Sequence, residues 1–227
     1  TCLVDLKNNY FNDKNTLHVL FVEPLKCTKG DVKISKSETQ IINFFNENED
    51  FFLVFDEIQT GLYPLMEPWG YQYFGLPDPD VISFGKRFQV SGFSSNKILS
   101  NVFDNSAPKL LSSTFDGSLI DLVRGTFYIK YLREYFFNKK IEINDNFEKL
   151  SLILTSLGKK FGGEVDKNGT YLSLKFIEDK SMTNCSKFLT SKKILHNPTI
   201  PKTIRFRVPI NINIDDINLI KKRIEIN

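Results

Sequence analysis

The chain has 227 residues, 41% hydrophobic and 25% charged, an ordinary balance for a globular protein with enough length to bury a sizeable core. Thirty basic residues against 27 acidic ones leave a net charge of +3, which gives no case for nucleic acid or an anionic membrane as partner. In chain order, "LHVLFVEP" (17–24) is an apolar run stopped by proline and reads as a buried strand. "ISKSETQIINFFNENED" (34–50) reads as a helix, with Ser35 and Glu38 spaced as a capping box and Ile41, Ile42 and Phe45 on one face. "FFLVF" (51–55) is a strand without alternation, as expected where both faces are covered in a parallel sheet. "LYPLMEPWGYQYFGLPDPD" (62–80) is punctuated by Pro and Gly, with a short helix expected around Gly70 to Phe74. "VISFG" (81–85) is a third buried strand.

The second half reads differently. "SLIDLVRGTFYIKYLREYFFNKK" (118–140) and "INDNFEKLSLILTSLGKKFGG" (143–163) are expected as two amphipathic helices, the second started at Asp145 with Glu148 three residues on and ended at Gly162. "TYLSLKFI" (170–177), "KILH" (193–196) and "TIRFRVPI" (203–210) are strand-like, and "IDDINLIKKRIEIN" (214–227) closes as a helix. The fold class expected is α/β in the first part, followed by a small α+β domain. The boundary is placed at 138/139, giving domains of 1–138 and 139–227.

Cys2, Cys27 and Cys185 are odd in number and far apart, which argues against a disulfide frame or a zinc site and fits a reducing cytoplasm. His18 and His196 are the only histidines, so no H-E-x-x-H site exists. No apolar run approaches a membrane span and no secretory leader is read. The chain opens at Thr1 and enters a strand pattern within about twenty residues, as a piece of a larger protein would.

Open parallel sheets bind ligands beyond the carboxyl ends of their strands. Two such ends carry reactive groups: Asp56 closes one strand, and Lys86 follows the other thirty residues later. Taken alone, "FFLVFDE" also fits the magnesium-holding strand of a P-loop ATPase, though no G-x-x-x-x-G-K-[ST] loop is present. A strand-end Asp can equally be a turn or capping residue. Asp56 together with Lys86 points instead to pyridoxal phosphate. That cofactor needs a lysine for its Schiff base and a carboxylate to keep its pyridine nitrogen protonated.

"LVFDEIQTG", "YFGLPDPDVISFGK" and "LSSTFDGSLIDLVR", in this order and spacing, resemble the class III pyridoxal-phosphate aminotransferases. "FGKRFQVSG" and "NVFDNSAPKLLSSTFDGSLIDLVR" are similar to the L-lysine 6-aminotransferase branch, and "TIRFRVPINI" loosely to the family's C-terminal Arg-Phe-x-Pro-Pro segment. The resemblance implies the C-terminal part of a fold-type I transferase and amino transfer from a terminal amine, such as that of lysine, to 2-oxoglutarate. It implies that Asp56 pairs with the pyridine nitrogen and Gln59 with the ring hydroxyl. Lys86 would be the Schiff-base lysine that also moves the proton. Thr114 would bind the cofactor phosphate of a neighbouring subunit, and Arg205 a substrate carboxylate. A homodimer follows, or association with a separate N-terminal half.

Three departures stand beside it. "EPLKCTKGD" (23–31) carries Thr28 where the family has a glutamate able to cover the C-terminal arginine. "LYPLMEP" (62–68) replaces a Gly-rich loop with one stiffened by two prolines. Roughly the N-terminal half of such an enzyme is missing, with its phosphate-cradling turn and the aromatic that stacks on the pyridine ring. The alternative is therefore a non-catalytic remnant or assembly fragment, the chain alone being inactive.

Overall fold

The computed structural model describes residues 17–48, 51–96 and 117–225. The chain divides into two compact units. The first takes Thr1–Leu25, Lys33–Tyr63 and Glu67–Arg133; the second takes Lys26–Val32, Pro64–Met66 and Glu134–Asn227.

In the first unit, strands β1 (His18–Val22), β2 (Phe51–Asp56), β3 (Val81–Phe84) and β4 (Gly92–Ser95) form a sheet in the order β1-β2-β3-β4. β1, β2 and β3 are parallel, and β4 returns antiparallel to β3. Helix α1 (Lys36–Asn46) is the β1-to-β2 crossover. It starts at Ser35, whose Oγ accepts from the Glu38 N–H while the Glu38 carboxylate accepts from the Ser35 N–H, the expected capping box. Its Ile42 packs with Leu53 and Phe55 of β2 and with Tyr71 of the one-turn helix α2 (Gly70–Tyr73). Burying Phe55 fully contributes about 1.5–3 kcal/mol, so this cluster fixes the position of the β2 end.

Helix α3 (Leu119–Phe161) is a single helix where the sequence suggests two. Asn and Asp between 138 and 146 are weak helix formers, but no Gly or Pro lies between Gly125 and Gly158. The buried positions Phe136, Ile143, Phe147, Leu150, Leu154 and Leu157 keep one helical phase across the expected break, and burial overrides the local preference.

The second unit holds an antiparallel sheet, β5 (Gly163–Asn168), β6 (Tyr171–Phe176), β7 (Asn197–Thr199) and β8 (Thr203–Arg207), in the order β5-β6-β8-β7. Helices α4 (Asp179–Ser191) and α5 (Ile214–Glu225) complete it. "KILH" is not a strand. Residues 193–196 form the turn out of α4, and the pairing segment begins one residue later, at Asn197. Gly30 has φ +83, and a Cβ there would stand 2.6 Å from Thr203 Oγ1, so this turn admits only glycine.

Candidate active site

β2 and β3 are neighbouring parallel strands, and Asp56 sits opposite Ser83 in their register. Lys86 comes three residues after Ser83. The carboxylate and the amine therefore leave the same edge of the sheet from adjacent strands, as the sequence suggests. Asp56 is half-buried, and its Oδ1 accepts from the Ile58 N–H at 3.0 Å, which orients the carboxylate. Its Oδ2 accepts no hydrogen bond among the described residues. Gln59 lies in the same turn, half-buried, and its carbonyl accepts from Arg87 Nη1 at 3.1 Å.

Lys86 follows Gly85 and opens a single 3-10 turn, Lys86–Phe88. Its φ is +49, in the left-handed region that costs a non-glycine residue about 1–3 kcal/mol and is over-represented at functional sites. The turn is held by the Gln89 N–H and the Gln89 side-chain amide, both donating to the Lys86 carbonyl, at 3.0 and 3.3 Å. The amine is exposed and has no partner among the described residues.

Glu57 is a residue the sequence reading left without a role. Strand alternation sends it to the opposite side from Asp56, and it is fully buried. Its Oε2 accepts from Thr60 Oγ1 at 2.5 Å and from the Gly70 N–H at 2.8 Å, and its Oε1 from the Tyr71 N–H at 2.8 Å. One carboxylate thus ties the Asp56–Gln59 turn to the start of α2. The signal was the Asp-Glu pair itself, since alternation cannot leave both acids at the edge. Burial pushes the Glu57 carboxyl above its ordinary value, against the pull of its three donors. The folded state then keeps a proton that the unfolded chain loses near pH 4.5, so this contribution to stability is complete below that pH and is lost as pH rises. Glu57→Gln turns one donor towards the Tyr71 N–H and costs about 1–3 kcal/mol at acid pH. Its deficit against the unsubstituted chain shrinks as pH rises; urea melts at pH 4.5 and at neutral pH check both statements.

In the second unit, Arg205 projects from β8. Its Nη1 donates to the Cys27 carbonyl at 2.5 Å, and the Asn197 amide oxygen, in the orientation that satisfies both ends of that amide, accepts from its Nη2 at 3.0 Å. Nε is buried with no partner. No carboxylate pairs with Arg205 among the described residues, and Thr28 is exposed. Two residues on, Arg207 forks onto Asp31, with Nη1 donating to Oδ2 at 3.0 Å and Nη2 to Oδ1, and its guanidinium lies 3.9 Å from the Tyr171 ring centre. Burial opposes the Arg207 charge, but the pair with Asp31 outweighs it and raises its pKa. This neighbour was also missed; the signal was the Arg-Phe-Arg alternation of β8, which puts both arginines on one face. Thr114 lies outside the described residues, and Arg205 belongs to a different unit from Asp56, Gln59 and Lys86.

A protein-family model, Aminotransferase class-III, matches residues 2–226. L-lysine-epsilon aminotransferase of Streptomyces clavuligerus is 32% identical over 83 residues, 37% of this chain and 18% of that protein. 4-Aminobutyrate aminotransferase of Mycosarcoma maydis is 31% identical over 78 residues, 34% of this chain and 15% of that protein. Among solved structures, lysine aminotransferase from M. tuberculosis in its internal aldimine form matches with a TM-score of 0.76 at 24% identity, covering 91% of this chain and 48% of that one. Ornithine aminotransferase from Plasmodium yoelii matches with a TM-score of 0.73 at 20% identity, covering 90% of this chain and 55% of that one. The chain therefore spans about half the length of the solved structures it resembles, and the sequence alignments cover less than a fifth of the relatives. The likeness shows the fold, the C-terminal part of a fold-type I pyridoxal-phosphate transferase.

Proposed function

Because the chain belongs to the class-III aminotransferase family, whose cofactor is pyridoxal phosphate, we propose that it carries the Asp56–Lys86 half of a cofactor site. With the site complete, it moves an amino group from a terminal amine, that of lysine or a similar donor, to 2-oxoglutarate by a ping-pong route. The observation that carries this reading is the pairing of a half-buried carboxylate with an exposed, unpartnered amine at adjacent parallel strand ends. In this reading residues 1–138 belong to the large cofactor domain and 139–227 form the small one.

The donor set fits the group. Asp56 Oδ2 is open to accept from a ring N–H and hold it protonated. Gln59, in the same turn, would donate its side-chain amide to the ring hydroxyl. When bound, the cofactor supplies an electron sink for the carbon that gives up its proton. Lys86 would hold the group covalently through its amine, which would also serve to take up and return a proton. Thr114 takes the phosphate of a neighbouring subunit in a homodimer. Arg205 takes a substrate carboxylate, for which its planar fork is suited, and its orphaned Nε is one donor left for that ligand. With a carbonyl and an amide as its partners among the described residues, Arg205 has no carboxylate over it there, where the family's glutamate would mask it.

Unit 1 also bears apolar surface that a second polypeptide would cover. On β1, an edge strand among the described residues, Phe21 is 74% exposed, and on α3 Leu119, Ile120 and Phe127 are each more than 70% exposed. This supports a partner supplying the rest of the fold. Cys27 and Cys185 are both buried, which fits a cytoplasmic setting, and burial pushes the Cys185 thiol up to about 12. No described helix is long and apolar enough to cross a membrane.

The test is glutamate formation. The chain is combined with a polypeptide supplying the N-terminal half, pyridoxal phosphate, 2-oxoglutarate and lysine, ornithine or 4-aminobutyrate. Glutamate appears with at least one donor if the reading is right. Its absence with all three favours the second reading, a non-catalytic remnant, which Thr28 in place of the family's glutamate supports.

A further inference from the structure

The second unit contains space that its own side chains do not fill. A cavity of about 630 Å³ lies against α5, with an apolar wall that includes Leu150, Leu154, Leu189, Phe206 and Ile220. A second space of about 400 Å³ follows the neighbouring face of the same helix and shares Ile153 and Ile224 with the first. Only Ile217 of α5 is fully buried, although the helix also carries Ile214, Leu219, Ile220 and Ile224. The first space therefore borders the apolar side of this helix. It falls within the roughly 300–1,000 Å³ of small-molecule sites, which are mostly apolar with a few placed polar groups.

Two cations of the wall, Lys193 and Arg223, lie side by side. Arg223 Nη1 donates to the Lys193 carbonyl at 3.1 Å, which brings the two residues together at the cavity wall. Neither has a carboxylate partner among the described residues. The other cation of the wall, Arg207, is already neutralised by Asp31. The acid of the wall, Asp216, sits at the start of α5, where its Oδ2 accepts from the Asn213 N–H at 3.5 Å and its backbone N–H donates to Asn213 Oδ1 at 2.9 Å, and it pairs with neither Lys193 nor Arg223 among the described residues. A ligand that filled this space would need an apolar body and one anionic end.

We infer that the cavity binds a small amphipathic carboxylate, its aliphatic tail along α5 and its carboxylate on Lys193 and Arg223. The site is separate from the residues assigned to amino transfer and does not depend on that assignment. The test is calorimetric titration of the full 227-residue chain with hexanoate, octanoate, decanoate and decanol. Saturable one-to-one binding is expected, strengthening by up to about 4-fold per added methylene. Decanol should bind about 2–5-fold more weakly than decanoate, the effect of losing an exposed charge pair. Arg223→Glu should reduce decanoate affinity to that of decanol or below. Ile220→Trp, which places a ring in the cavity, should abolish binding while leaving the melting transition cooperative. If that variant does not fold, the chain-length series on the unsubstituted protein decides. No saturable binding, equal affinity for decanol and decanoate, or an affinity that does not grow with chain length overturns the proposal.

Discussion

Replacing Lys86 by Ala lowers glutamate formation in the completed enzyme by about 10²–10⁴-fold or more, since the residue serves as both nucleophile and proton carrier. Lys86→Arg is no rescue, because a guanidinium does not deprotonate in proteins and cannot act as the amine nucleophile. Stability separates this loss from misfolding. The Lys86 side chain is exposed and unpartnered, so truncating it removes no buried contact, and substitutions of that kind stay within about 0.5 kcal/mol. Steady-state kinetics and a urea melt of the same preparation check both halves of the statement. A rate loss matched by a large stability loss would show that Lys86 holds the turn rather than the chemistry.

Asp31→Ala is expected to destabilise the second unit by about 3–5 kcal/mol, the cost of leaving a buried charge without its partner. Asp31 is 1% exposed, and Arg207 has its guanidinium on the Tyr171 ring with no other carboxylate among the described residues. Asp31 also has φ +58, which Asn adopts more readily than Ala. Asp31→Asn therefore isolates the charge from the backbone strain and should cost less than the Ala change. The double variant Asp31→Asn with Arg207→Met should recover much of the loss, since a neutral pair avoids the buried charge. Urea midpoints of the three variants test this. Additive losses in the double variant would mean that the two residues are not coupled.

The sheet that positions the site was legible from its strand sequences, although only β2 is largely buried: β3 is half-buried, and β1, expected as a buried strand, leaves Val19 and Phe21 exposed. "FFLVF" and "VISFG" lack alternation, and that pattern correctly indicates parallel neighbours with their carboxyl ends together. The Ser35 capping box was legible because it is a local interaction over three residues. The continuity of α3 was not, because the weak helix formers around 140–146 are overridden by a seam of buried side chains whose partners are distant in sequence. β4 was missed because "GFSS" has neither apolar character nor alternation and pairs only along one edge of β3. Asp56 and Lys86 were singled out through their place at strand ends and the family resemblance, and Gln59 through the resemblance alone. Glu57 and Asp31 were not, since the partners that give each its role include groups 13 and 176 residues away in the chain.

Reductive trapping tests the central claim most directly. The chain is mixed with pyridoxal phosphate, with and without a polypeptide supplying the other half of the fold, then reduced with borohydride, and the labelled peptide is mapped. The account predicts label confined to Lys86 in the completed mixture, and its loss on Lys86→Ala. Label scattered over surface lysines, or none, in both mixtures would contradict it and leave Asp56 and Lys86 as inherited but idle residues.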